Sequence, residues 1–200
     1  MPSPVQCRED LREEVLAANL ALVRHNLVTL TWGNASGIDR EAGLIAIKAS
    51  AVYDTIGIDD IVVLTLNGEI VEGDCRPSTD TPTHLNLYRS FSEIGGVIHT
   101  NSTWATSWAQ VEREIPILGT THADFFPGPV PLSRHLTAEE VANAYELNAG
   151  VALKEVIDEH DIKDLPAALV PGHGRSPGAR MPTKRLSARS HSKQLPTWRF

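Results

Sequence analysis

The sequence predicts a layered α/β domain, and three observations carry that reading. Segments with apolar residues at helical spacing alternate along the chain with short β-rich runs. No internal repeat interrupts the alternation, which argues for one layered domain rather than an array. Composition agrees: 200 residues, 42% of them hydrophobic, suffice for one sizeable core, and no apolar run approaches the length of a membrane span.

The first element is "DLREEVLAANLALVRHNL", where Leu11, Val15, Ala18 and Leu22 recur at helical spacing and predict an amphipathic helix over 9–25. "GLIAIKAS" is a short β-rich run. "DIVVLTLNGEIVEG" predicts two strands around an Asn67-Gly68 turn, a dipeptide that tolerates the positive φ of a tight hairpin. In "STDTPTHLNLYRSF", Pro82 falls where a first helical turn tolerates a missing N–H. Asp80 or Thr81 is the cap, and the helix runs to about Phe91. "GGVIHT" reads as a buried strand leaving a glycine turn, with a helix following in "STWATSWAQ". "IPILGTTHADFF" reads as another strand ending in polar residues. Thr137 opens the capping-box pattern T-A-E-E and a helix to about His160, and "AALVPGHG" is a further strand.

Charge is distributed unevenly. All 25 Asp and Glu precede His173, whereas seven of the 18 Lys and Arg follow it. So acidic a body is a poor general binder of polyanions, and an anionic ligand needs a specific local site. The opening "MPSPVQCREDLREEV" has neither a basic leader nor an apolar signal segment, so the expected address is the cytoplasm. Cys7 and Cys75 form neither a disulfide framework nor a paired metal motif, and a reducing compartment leaves them as thiols.

Polar residues at strand ends and helix starts are the candidates for chemistry, because open α/β sheets commonly build sites there. Asp80, His99 and His173 are metal-ligand types, carboxylate and imidazole together suiting zinc or a similar divalent ion. No H-x-H or H-E-x-x-H spacing joins them, and taken singly each also reads as a surface histidine or a helix cap. Gly33-Asn34, then Lys48 and Ser50, then Ser78 and Thr79 offer the backbone amides, hydroxyls and ammonium that a phosphate dianion needs; alternatively they are turns and caps. Asp124, beside aromatics in "TTHADFF", is an acid/base carboxylate or a loop aspartate.

The order of the motifs says more than any one of them. "ANLALVRHNLVTLTWGNASGIDR", "IKAS", "STDTPTH", "GGVIHT", "GTTHADFF" and "GHG", in that succession, resemble the class II aldolase/adducin family over about residues 9–174. "HNLVTLTWGN" and "DTPTH" resemble its pentulose-phosphate 4-epimerase branch rather than its fuculose-phosphate aldolase branch. The resemblance implies a three-layer α/β/α sandwich around a mixed, largely antiparallel central sheet, assembled as a homotetramer with active sites at subunit boundaries. It implies a zinc-type divalent metal held by Asp80, His99 and His173, and a phosphate subsite from Gly33, Asn34, Ser50, Ser78 and Thr79. Asp124 matches the family's acid/base carboxylate. The implied substrate is a phosphorylated pentulose, with L-ribulose 5-phosphate and D-xylulose 5-phosphate interconverted by retro-aldol cleavage of C3–C4, turnover of the aldehyde fragment and re-addition. A Lewis acid suits this chemistry because an enediolate carries charge that water stabilises poorly. Two rival readings are an aldolase of the family acting on another sugar phosphate and a non-catalytic, adducin-like assembly module.

Three departures from the family pattern bear on activity. Where the family has H-T-H-S, this chain has His99-Thr100-Asn101-Ser102, and a carboxamide oxygen is a much weaker zinc ligand than imidazole. The family's P-S-G phosphate loop is here Ala49-Ser50-Ala51, and Ala51 opposes a positive φ or a close backbone approach to phosphate. Family members also carry a catalytic tyrosine near their C-terminus, and no tyrosine follows Tyr145 here.

From His173 to Lys193 the chain has no acidic residue and hardly any hydrophobic period. We read residues 1–174 as a family domain incomplete at its C-terminus, and 175–200 as the product of a frameshift. In the family, the His-Gly matching His173-Gly174 leads into P-F-A-W-G-K. With one base lost just after the Gly174 codon, Ser176-Pro177-Gly178-Ala179-Arg180 reads as F-A-W-G-K, each from a permitted third base. The frame continues through Phe200 into an amphipathic L-E-A-V-A-H-M-A-L, an agreement too long for chance. The tail is then expected to be disordered, its basic charge incidental, with no nucleic-acid or membrane partner. Activity is expected to be negligible and the tetramer weakened. Sequencing the nucleotides checks this: restoring one base after codon 174 opens a frame that spells F-A-W-G-K and runs past position 200. An early stop in that frame sinks the idea, and nucleic-acid binding at several salt concentrations then becomes the test of the tail.

Overall fold

The computed structural model describes residues 4–160, 165–172 and 197–199. Strands β1 (Asn34–Asp39), β2 (Leu44–Lys48), β3 (Ile61–Thr65), β4 (Ile70–Glu72), β5 (Gly96–His99) and β6 (Thr197–Arg199) form one sheet. Its order is β4-β3-β2-β1-β5-β6, antiparallel except for the parallel β5–β6 pair. Helices α1 (Pro4–Arg24), α2 (Thr81–Ser90), α3 (Thr103–Gln110), α4 (Thr120–Ala123) and α5 (Ala138–Asp158) complete the described elements.

β2 and β3 are near-continuous apolar runs because both faces of the sheet are covered. Ala46, Ile61 and Val63 pack with Leu11 and Val15 of α1. The alternate residues Ile45, Ile47, Val62 and Leu64 pack with Leu85 and Leu87 of α2 and Leu153, Val156 and Ile157 of α5. The period of two along each strand thus divides one sheet between two apolar layers. This is the three-layer, largely antiparallel α/β/α arrangement expected above.

Several local expectations hold. The Asn67-Gly68 turn joins β3 to β4, with Gly68 at φ +88°. Thr137 caps α5 reciprocally, its hydroxyl accepting from Glu140 N at 3.2 Å while Glu140 accepts from Thr137 N at 2.8 Å. α1 begins five residues before the predicted start, and its buried stripe includes Asn19, whose side chain is wholly inaccessible. The Asn19 amide donates to Ala35 O at 3.0 Å and accepts from Ala35 N at 2.9 Å. β2 pairs with β1 only from Ser36 onward, so the amide takes the place of a neighbouring strand at Ala35.

Three expectations require correction. "IPILGTTHADFF" contributes no strand: Ile115 makes a single bridge to Val130, Ile117 and Leu118 are exposed, and α4 begins just after Gly119. "AALVPGHG" contributes isolated bridge positions and no strand among the described residues, Ala167 and Leu169, the latter paired with Leu132, since the prolines 131 and 171 lack the N–H that would extend a ladder. In the tail, Thr197–Arg199 form β6 and pair with β5, so these three residues depart from the expected disorder; β5 otherwise presents an unpaired edge to which a strand can add. Residues 173–196 and 200, His173 among them, lie outside the described residues.

No described helix is long and apolar enough to cross a membrane.

Two glycines permit close approaches. At Gly33, with φ +78°, an added Cβ would meet Val28 Cγ1 at 2.7 Å and the His99 carbonyl at 2.9 Å. At Gly150 it would meet Thr83 Cα at 3.1 Å, where α5 crosses α2. Gly33→Ala combines a left-handed backbone with a clash against another strand's main chain. It is expected to lower unfolding stability by roughly 1–3 kcal/mol or more, read from denaturant midpoints, whereas Gly43→Ala, with open space around it, should cost only its backbone strain.

Candidate active site

Three elements meet at one carboxylate. Asp80 stands at the start of α2, yet its side chain makes no capping hydrogen bond. Its Oδ2 instead accepts from Asn34 Nδ2 at 2.6 Å and from His99 Nδ1 at 2.7 Å. Asn34 begins β1 and His99 ends β5, and the antiparallel register sets them directly opposite one another. The helix start is satisfied from elsewhere: Ser78 O accepts from the N–H and hydroxyl of Thr81, and Ser78 Oγ accepts from Asp80 N at 3.3 Å and Asn34 Nδ2 at 3.1 Å.

Burial pushes the Asp80 carboxyl upward. The hydrogen bond and charge of His99, with His84 and Asn34, outweigh it and hold the group well below the usual carboxylate range. Asp80 is therefore ionised at neutral pH. A partly buried carboxylate beside an imidazole presents the donor types that zinc and similar ions take. Among the described residues, no group of three or more His, Cys, Asp or Glu gathers around a common point. The third expected ligand, His173, lies just past the described segment that ends at Gly172.

These groups line a cleft of about 660 Å³. Of the sequence-derived candidates it contains Gly33, Asn34, Lys48, Ser50, Ser78, Thr79, Asp80, His99 and Asn101. Ala51 does not line it. Lys48 is buried, and its ammonium donates to Ala51 O at 2.6 Å and Ala49 O at 3.1 Å and sits 4.5 Å from the Tyr53 ring centre. Burial lowers its pKa. Two of its three donors thus brace the Ala49–Ala51 loop. Tyr53 in turn donates to Gly33 O at 2.9 Å, fixing the opposite turn.

Asp124 is exposed, follows α4, and does not line this cleft. Its separation follows from α4's being a short helix on the surface rather than the end of a strand in the sheet. Sequence reasoning missed Tyr145 and Glu146, which do line the cleft. Ala144 leaves helical geometry at φ −160° and ψ 68°, and Asn148 Nδ2 recovers the Glu140 carbonyl at 3.0 Å. An interior kink carries no Pro or Gly signal here, so the period alone ran straight through it.

The chain belongs to the class II aldolase and adducin family: residues 13–176 match the Class II Aldolase and Adducin N-terminal domain. Over 167 residues it is 50% identical to L-ribulose-5-phosphate 4-epimerase UlaF of Salmonella paratyphi C (strain RKS4594), covering 83% of this chain and 73% of the relative. Among solved structures it superposes on an L-fuculose 1-phosphate aldolase with a TM-score of 0.68 and 29% identity, covering 87% of this chain and 74% of that one. The l-fuculose-1-phosphate aldolase of Thermus thermophilus shares the fold at 21% identity, with a TM-score of 0.61 over 84% of this chain and 78% of that one.

Beneath the cleft, His84 is fully buried, and burial drives its pKa down to about 3, against an ordinary value of 6.5. The folded protein keeps this ring neutral, while the unfolded chain protonates it below pH 6.5. Stability is therefore unaffected by His84 above that pH and falls as pH drops from 6.5 towards 3. Between pH 8 and pH 5 the loss from this residue is about 2 kcal/mol. Urea unfolding of the parent and of His84→Asn at both pH values checks it: the variant should lack this part of the slope, and identical slopes would contradict the buried neutral ring.

Proposed function

We propose that this chain is an L-ribulose-5-phosphate 4-epimerase acting through retro-aldol and aldol steps. One observation carries the reading at the site: the ionised Asp80, paired with His99, shares a single cleft with the Ser50, Ser78 and Thr79 hydroxyls. A metal-binding pair and a hydroxyl-lined anion subsite a short way apart are what a phosphorylated ketose requires. The 50% identity to a named epimerase supports the same choice.

Asp80, His99 and His173 would hold a divalent ion, zinc by donor type, which supplies Lewis acidity to the enediolate. Ser50, Ser78, Thr79, Asn34 and the Gly33 turn bind the substrate phosphate, and Lys48 keeps the Ala49–Ala51 loop in place for it. A base removes the C4 hydroxyl proton as the C3–C4 bond breaks. Its electron pair passes to the three-carbon fragment as the enediolate, and C4 becomes the aldehyde carbon of glycolaldehyde phosphate. The aldehyde turns, C3 attacks its opposite face, and the proton returns to the C4 oxygen. Asp124 is the acid/base carboxylate and, lying outside its own cleft, serves the site of a neighbouring subunit in a homotetramer. The enzyme works in the cytoplasm. Asn101 weakens the metal subsite, and turnover by this chain is correspondingly poor.

Supplying L-ribulose 5-phosphate or L-fuculose 1-phosphate with zinc and following products by NMR tests the assignment. The expected product is D-xylulose 5-phosphate from the first sugar alone, and accumulation of cleavage products from the second would favour the aldolase reading. Asn101→His is expected to raise both bound zinc and turnover, since it places an imidazole on the cleft wall two residues beyond His99. Metal-free, inactive protein in both parent and variant would leave the assembly module as the better account.

A further inference from the structure

The DTPTH motif contains an ionisable residue that the reaction does not use, His84, and its place in the fold assigns it a role. Asp80, His84 and Tyr88 recur every four residues and form one stripe along the sheet-facing side of α2. Asn34 and Ser36 are two apart and share one face of β1. The two stripes meet rung by rung: Asn34 Nδ2 to Asp80 Oδ2 at 2.6 Å, then Ser36 Oγ to His84 Nδ1 and to the Tyr88 hydroxyl, each at 2.7 Å. Ser36, His84 and Tyr88 are all buried, among Leu87, Ile94 and Val97. Apolar packing is non-directional and tolerates a helix that slides or turns on the sheet. A serine hydroxyl is not so tolerant, because it has a single proton to place.

We infer that Ser36, His84 and Tyr88 are positioning residues that set the register of α2 on β1 and thereby aim Asp80 at His99. The inference rests on the reading of Asp80 as a metal ligand. Ser36 Oγ can give its one proton either to His84 Nδ1 or to the Tyr88 oxygen and accepts from the other, so both rungs hold in either arrangement. Removing the Ser36 hydroxyl takes away its hydrogen bonds to His84 and Tyr88 together and frees the lower rungs, leaving Asp80 attached to β1 only through Asn34.

Ring ¹⁵N NMR of the parent and Ser36→Ala, and zinc titration of the parent, Ser36→Ala, Tyr88→Phe and Asp80→Ala, test this, with circular dichroism reporting the fold. The His84 Nδ1 resonance should move in Ser36→Ala, because its hydrogen bond to Ser36 is lost. Ser36→Ala should stay folded and bind zinc about 10- to 100-fold more weakly, the range typical of losing a group that orients a ligand. Tyr88→Phe, which keeps the Ser36–His84 bond, should lose less, and it decides the matter if Ser36→Ala does not fold. Parental zinc affinity in the folded Ser36→Ala and Tyr88→Phe variants, with binding lost in Asp80→Ala, overturns the positioning role and leaves the ligand assignment standing. An unmoved His84 Nδ1 resonance in folded Ser36→Ala overturns it also. A parent that binds no zinc, or an Asp80→Ala variant that binds it as the parent does, removes the ligand assignment and the inference with it.

Discussion

A single, largely buried carboxylate ties this domain together. Asp80 brings the start of α2 onto β1 through Asn34 and onto β5 through His99. A charge in that position has to be paired, because an unpaired buried carboxylate would take up a proton instead. Two strands and a helix therefore meet at the same point that faces the cleft. The surrounding contacts hold the approach of β1 to that point: Gly33 passes close against the His99 carbonyl, Tyr53 grips the Gly33 carbonyl, and Asn19 takes both backbone groups of Ala35. One short length of chain, residues 33–36, is held from both sides of the sheet.

The division of labour between apolar and polar contacts follows from this arrangement. Ile45, Ile47, Val62 and Leu64 on one face, and Ala46, Ile61 and Val63 on the other, account for the three layers, since burying apolar area favours any close packing of amphipathic elements. They do not by themselves decide where along β1 the helix α2 comes to rest. The buried polar groups do, and they are concentrated where the site lies. Arg40 works at the far end of the same helix, collecting the carbonyls of Tyr88, Phe91 and Ile94, so both ends of α2 are fixed to the sheet by hydrogen bonds rather than by packing alone.

The cleft is asymmetric in its chemistry. One part holds Asp80 and His99, ionisable and borderline in donor character. Another holds hydroxyls and turns braced by Lys48, whose ammonium is spent on two loop carbonyls. The kink at Ala144 turns Tyr145 and Glu146 to the same space. Asp124 belongs to a different surface of the domain, near the exposed Leu118 and Phe125 in sequence.

Features that depend on a few neighbouring residues were determined by the sequence alone. The Thr137–Glu140 capping box, the Asn67-Gly68 turn and the tolerance of Pro82 in the first turn of α2 each follow from groups within one helical turn or one hairpin. The alternation of helical and β-rich segments was equally sufficient for the layered class, and the order of motifs pointed to the family and to most of the residues that line the cleft. Tertiary structure decided the rest. Propensity made strands of "IPILG" and "AALVP", but prolines and the lack of a neighbouring ladder reduced them to isolated bridges. Asn19 looked like one more position on an amphipathic helix, because its partner Ala35 is supplied by a strand that the helical period does not see. Local spacing left Asp80 or Thr81 as the cap of α2 and the motif order made Asp80 a ligand, but its bonds to Asn34 and His99 exist only once β1 and β5 lie beside it. The physical reason is common to all of these: a hydrogen bond satisfied locally is written in adjacent residues, whereas one satisfied across layers exists only after hydrophobic burial has brought distant segments together.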